Sequence, residues 1–282
     1  MRVTGVDACR RGWVAVSLEG PTAAGGLPAA RTGAGGPLAS VWTGASLAEL
    51  LQGAGIVGID MPLGLLESGW READKLARGL LGPRRSSVFA IPPRAVWAED
   101  SYPAANLRCR ALTGQGLSAQ AWGLRRKLLE ANAYRQTCGH PLYEVHPELA
   151  FCAMAGQPLA LSKHTAAGLH LRRRVLAEMG IEVPAGTVEV PAGTQASAAH
   201  AGAMAMPTAM AGDILDAAAV AWSARRIPPA RRSPSWVGRS ATATVAKSRS
   251  ATDQQIGQRP ARVRPWPSAR RRPLPERGVG GT

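Results

Sequence analysis

The chain has 282 residues, 45% of them apolar, ordinary for a globular protein with a real core. Its formal charge of +15 suggests a nucleic-acid binder, but residues 227–282 hold 12 of the 34 basic residues and 2 of the 19 acidic ones. Residues 1–226 are thus only mildly basic, and the high isoelectric point cannot argue that the folded part binds phosphate backbones. No run reaches the roughly 18 apolar residues of a membrane span, and the start MRVTGVDACRRGW lacks the pattern of a signal peptide. The four cysteines, Cys9, Cys109, Cys138 and Cys152, form no C-x-x-C pair, so free thiols and a cytoplasmic location are expected, with no membrane partner.

In chain order, VTGVD and WVAVSL read as two strands joined by the turn-like ACRRG, a hairpin. A Gly-, Ala- and Pro-rich stretch to Pro37 reads as a loop before a short strand from Ala39 to Trp42. SLAELLQ predicts a short helix capped at Ser46, and GIVGIDMPLGL a buried strand stopped by Pro62. From Trp70 to Gln136 the spacing is helical, interrupted by GPRRSSVFAIPPRAVW, which reads as an ordered surface loop. LYEVHP predicts a strand, PELAFCAM and HTAAGLHLRRRVLAEMG predict helices, residues 184–207 read as a linker, and AGDILDAAAVAWSARR predicts a last helix. These elements make one α/β domain over residues 1–226. The remainder, 227–282, is a Pro/Arg-rich tail expected to be disordered. It is either a basic arm for nucleic acid or the product of a shifted reading frame, and the absence of interleaved aromatics favours the second.

The candidate chemistry is a set of carboxylates. Asp7 and Asp60 each close an apolar strand. If the two strands are parallel neighbours, both acids emerge at the carboxyl edge where open α/β sheets place their sites. Glu144 lies in a third strand, and Asp213 and Asp216 are three apart on one face of the last helix. Carboxylates from separate elements repel unless a cation neutralises them, so such a pocket favours a hard divalent ion, magnesium or manganese. Paired ions of this kind activate water and stabilise the leaving oxygen of a phosphodiester. Each acid also has a plainer reading: a turn cap for Asp7, a pair with Arg84 or Arg85 for Asp60, a helix-dipole contact for Asp213. Glu148, at a helix start, needs no catalytic role.

In this order, GVDACRRGWVAV, IDMPLGL, GPRRSSVFAIPPRAV, LSAQAW, YEVHPELAF, SKHT with Gly168 close behind, and DILDAAAVAWSARR resemble the bacterial family known as domain of unknown function 429. Its members are predicted nucleases of RNase H-like fold. The resemblance covers Val3 to about Arg226. It implies an RNase H-like mixed five-stranded sheet flanked by helices, the first three strands antiparallel and two further strands parallel, with a helical insertion between strands 4 and 5. It further implies an acidic metal site of Asp7, Asp60, Glu144, Asp213 and Asp216. The family often has two adjacent acids where this chain has Gly212 and Asp213.

For substrate, Arg84, Arg85, Ser86 and Ser87 are suited to phosphate, with Lys127 and Lys163 near the same edge and Gln120 along the pocket wall. A zinc site from Cys138, His140, His146 and Cys152 matches no common spacing. The expected activity is metal-dependent hydrolysis of phosphodiester bonds in nucleic acid. The competing readings are a non-catalytic nucleotide or nucleic-acid binding module and a small-metabolite phosphotransferase, the latter disfavoured by the lack of a Gly-rich phosphate loop.

Overall fold

The computed structural model describes residues 2–19, 39–184, 187–188, 204–205 and 211–227. The loop to Pro37, most of the 184–207 segment and nearly all of the tail lie outside the described residues.

Strands β1 (Arg2–Cys9) and β2 (Gly12–Glu19) form the expected hairpin, and β3 (Ser40–Gly44) pairs antiparallel with β2. Strand β4 (Ile56–Ile59) lies parallel to β1 on its other side, and β5 (Leu142–Glu144) parallel to β4. The sheet order is β3-β2-β1-β4-β5, the mixed arrangement of an RNase H-like fold. Two short strands, β6 (Thr187–Val188) and β7 (Met204–Ala205), pair antiparallel. This ladder falls inside the segment read from the sequence as a linker; two residues per strand are too few for a period to be seen.

Between β1 and β2 the chain turns at Arg10–Arg11, and α1 (Leu47–Leu50) starts at Ser46, whose side chain accepts from the Glu49 amide. The insertion between β4 and β5 contains α2 (Glu72–Leu81), α3 (Arg94–Trp97), α4 (Tyr102–Thr113), α5 (Ala119–Gly123) and α6 (Arg125–Thr137). The stretch expected to be a surface loop holds a 3-10 helix, Gly82–Ser87, before α3. Pro83, with its fixed φ and no amide proton, is tolerated in the first turn of a helix, so the stretch that reads as a loop opens with a 3-10 turn. After β5 come α7 (Pro147–Ala155), α8 (Ala166–Glu178) and, beyond the β6–β7 ladder, α9 (Ala211–Arg225).

The sheet has a core on each face. Val6, Ala15, Val57 and Ile59 join α1 and the insertion helices, with Trp97, Ala105, Leu128 and Ala131 buried against them. On the opposite face Cys9, Val14, Val16 and Val41 pack under α7, α8 and α9 through Phe151, Leu176, Ile214 and Leu215. The pleat sends alternate residues to opposite faces, so in β1 Val6 serves the first core and Gly5, Asp7 and Cys9 look toward the second.

Candidate active site

Two glycines seat the helix that completes the site. Gly5 of β1 and Gly58 of β4 are direct partners in the parallel ladder. A Cβ on Gly5 would stand 2.1 Å from the Ala217 carbonyl oxygen and 2.2 Å from the Ala221 amide nitrogen. One on Gly58 would stand 2.9 Å from Val220 Cγ1 and 3.1 Å from Ala224 Cβ. The backbone of α9 therefore lies directly on this flat patch, which explains why its sheet-facing stripe is Ala217, Val220, Ala221 and Ala224. Asp7 and Asp60 are two residues beyond the glycines, on the same face. Asp213 and Asp216 are four residues before Ala217 and Val220 in α9, so they continue the same stripe. A register chosen by small residues thus brings two strand acids and two helix acids together.

The ladder between β1 and β4 ends at Val6 and Ile59, and the Asp60 amide donates to the Val6 carbonyl at 2.8 Å. Both acids stand just past the last strand pair, at the carboxyl edge. Asp7 is 5% exposed and Asp216 1%; Asp60 and Asp213 are half-buried. Asp7 Oδ1 accepts from the Ala8 amide at 2.6 Å. Burial, then the charges of Asp60 and Asp216, push the Asp7 carboxyl well above the usual range. Burial raises Asp60 to about 6 against the pull of His146, with Asp216 adding to the rise. Burial likewise raises Asp213 to about 6, opposed by Lys163, and raises Asp216 against Lys163 and Arg172.

Glu144 does not join them. In β5 it pairs with Ile59, whose side chain belongs to the opposite core, and its Oε2 accepts from the Leu63 amide at 2.9 Å and from Arg71. Arg71, buried, also holds Asp74 at 2.9 Å. Glu144 thus fastens the chain just after Asp60 to α2, and its charge adds to the rise of the Asp60 carboxyl. Asp60 is not paired with Arg84 either: Arg84 stands 3.7 Å from Glu148.

The expected phosphate ligands are dispersed in their bonding. Arg85 and Ser86 are exposed on the 3-10 helix. The Ser87 hydroxyl donates to the Arg84 carbonyl at 2.8 Å, and the Ser87 carbonyl stands 3.2 Å from His146 Nε2. Lys127 bonds the Gly12 carbonyl and lies over the Trp13 ring, and Gln120 is exposed on α5. Lys163 is instead inside the acid cluster, its Nζ 2.5 Å from Asp216 Oδ2.

Sequence reasoning missed Glu148 and Arg172. Arg172 of α8 is fully buried, pairs with Glu148 and donates to the Leu161 carbonyl at 3.0 Å. It is the first of three consecutive arginines, and nothing in that run distinguishes the buried one. Glu148 does occupy a first helical turn, but it is buried and holds two guanidinium groups. Cys138 Sγ faces backbone carbonyls, and His140 bonds the Tyr134 hydroxyl, so neither gathers with His146, the N-cap of α7.

A divalent ion matches the donor chemistry of Asp7, Asp60, Asp213 and Asp216, all hard oxygen ligands. Asp216 Oδ1 is buried with no hydrogen-bond partner among the described residues, an acceptor that the fold leaves unfilled. Among the described residues no three His, Cys, Asp or Glu side chains are grouped closely enough to hold an ion. The acids share the Lys163 ammonium, which interacts with all four.

The mixed five-stranded sheet flanked by helices places the protein in the α/β class, with a strand order consistent with an RNase H-like fold. A family model described as Protein of unknown function (DUF429) matches residues 5–241, and the chain belongs to that family. The match runs past the domain end read at Arg226. No curated protein and no solved structure matches the chain. Among the described residues no helix is long and apolar enough to cross a membrane.

Proposed function

We propose that the protein is a divalent-metal-dependent nuclease that hydrolyses phosphodiester bonds in nucleic acid. The observation that carries this reading is that Asp7, Asp60, Asp213 and Asp216 all interact with one ammonium, Lys163, near the edge where β1 and β4 end, with Asp216 Oδ1 buried and unpartnered. Among the described residues no three acids are drawn together closely enough to hold an ion, so binding would have to close them. Asp7, Asp60, Asp213 and Asp216 would hold magnesium or manganese, which when bound supplies an activated water and offsets charge on the scissile phosphate. The chain's own groups do the remainder. Arg85 and Ser86, exposed on the 3-10 helix that His146 and Glu148 tie to α7, bind backbone phosphate. Glu144, through Arg71 and Leu63, fixes the chain that follows Asp60. Arg172 and Glu148 hold the loop that carries Lys163 against the acids.

A second reading, a non-catalytic nucleotide-binding module, is favoured by one observation: Lys163 already neutralises part of the cluster, as a binding site without metal chemistry would require. Manganese titration of the full-length protein, with cleavage assays on RNA, DNA and RNA–DNA hybrid, separates the two. The nuclease reading expects manganese-dependent cleavage of at least one polymer and a loss of at least a hundredfold in Asp7→Asn. Equal manganese binding by wild type and Asp7→Asn, with no cleavage by either, refutes it.

A further inference from the structure

Lys163 is held by more than its own ion pair. Its loop, between α7 and α8, is pinned on both sides. The Ser162 carbonyl accepts from the Thr165 amide at 3.2 Å and the Thr165 hydroxyl at 2.9 Å, and the Leu161 carbonyl accepts from Arg172. Gly168 makes this possible, since a Cβ there would stand 1.8 Å from the Ser162 carbonyl oxygen. The loop therefore sits tightly on the first turn of α8 and delivers the lysine, its side chain 32% exposed, to a carboxylate 53 residues away. Four acids and one ammonium form a cluster that is anionic but not unopposed. Removing the ammonium would leave the carboxylates repelling one another at low dielectric.

Resting on the metal-site reading above, we propose that Lys163 is the cluster's resident cation. It holds Asp216 Oδ2 in the ion-free protein and competes with a divalent ion for the same carboxylates, so that it sets the site's ion affinity. It is a positioning residue that acts through Asp216. An ion that takes the unfilled Asp216 Oδ1 must share that carboxylate with the Lys163 ammonium on Oδ2, or displace it, and a neutral side chain of similar length removes that competition while it leaves the acids in place.

The test is manganese affinity by calorimetry on the full-length wild type, Lys163→Met and Lys163→Arg, with thermal unfolding of each in chelator and in saturating manganese. Lys163→Met is expected to bind manganese at least tenfold more tightly, to melt lower than wild type in chelator, and to recover with the ion. Lys163→Arg keeps the charge and stays within about threefold of wild type. Unchanged or weaker binding by Lys163→Met overturns the proposal and leaves the nuclease reading standing; no binding by wild type or variant overturns both. Should Lys163→Met not fold, acetylation of wild type with acetic anhydride, read by mass spectrometry, decides the matter. Saturating manganese is expected to raise modification of Lys163 several-fold relative to exposed Lys75, and an unchanged ratio overturns the proposal.

Discussion

Gly5→Ala tests how the site is assembled. The added Cβ meets the Ala217 carbonyl oxygen at 2.1 Å and the Ala221 amide nitrogen at 2.2 Å. Both are backbone atoms of α9, so no side-chain rotation relieves the clash. Ordinary van der Waals contact begins at 3.4 Å, and α9 must lift from β1 by more than an ångström to reach it. Overpacking a dense core costs about 1–3 kcal/mol. Because α9 also buries Ile214, Leu215 and Val220, the upper end, about 3 kcal/mol, is expected. The matched control is Gly79→Ala, in the exposed interior of α2 with nothing within 4 Å of the new atom, where better helix propensity contributes about 1 kcal/mol of stability. Urea unfolding of the full-length proteins at pH 7, followed by tryptophan fluorescence, reads both. Manganese titration reads the site, since the lift carries Asp213 and Asp216 away from Asp7 and Asp60. Gly5→Ala should lose stability and ion binding together, and Gly79→Ala should gain the first and keep the second. A Gly5→Ala protein within about 0.5 kcal/mol of wild type, inside the scatter of surface substitutions, would refute the seating argument.

Two further outcomes follow from the charges. Asp60 has a folded-state value of about 6 against an ordinary 3.8, so its protonated form is the favoured one in the fold; relative to Asp60→Asn, ion-free wild type should hold its full stability below pH 4 and lose it as the pH rises to about 6, by at most about 3 kcal/mol. Urea midpoints of the two proteins between pH 4 and 7, in chelator, measure this, and a constant difference across that range rules it out. Arg172→Met breaks a buried ion pair and leaves Glu148 with only the longer, 3.7 Å contact to Arg84, which costs about 3–5 kcal/mol. Adding Glu148→Leu should restore most of that loss in the same unfolding assay, and a double variant no more stable than the single contradicts the pairing.

Much of the sheet was readable because its signals are local. The hairpin, the apolar run before Asp60 and the Ser46 cap each depend on residues close in sequence. The placement of Asp7 and Asp60 at one edge followed once the strands were read as parallel neighbours. Glu144 was less readable for a physical reason: its face depends on the register between β5 and β4, and a one-residue change of register exchanges the faces. Three residues of strand carry too little pattern to fix that. Arg172 and Glu148 are local look-alikes of a solvated basic run and a first-turn acid, and only tertiary packing shows that they are buried partners.

The sequence feature that most directly specifies the site is a set of small residues rather than the acids. Acids attract no other acids, so their approach must be imposed by contacts that are favourable on their own. Gly5 and Gly58, side by side in the ladder, let the alanine stripe of α9 come down to backbone contact, and the apolar burial of Ile214 and Leu215 holds it there. The same device recurs at Gly168, where a missing Cβ lets the Ser162 carbonyl close on α8 and aims Lys163 at Asp216. Packing thus holds the carboxylates in a repulsive arrangement, and Lys163 relieves part of it. Substitutions that enlarge Gly5 or Gly58 should therefore damage ion binding as severely as removal of a carboxylate, although neither carries a functional group, whereas enlarging Gly168 loosens Lys163 and should tighten it.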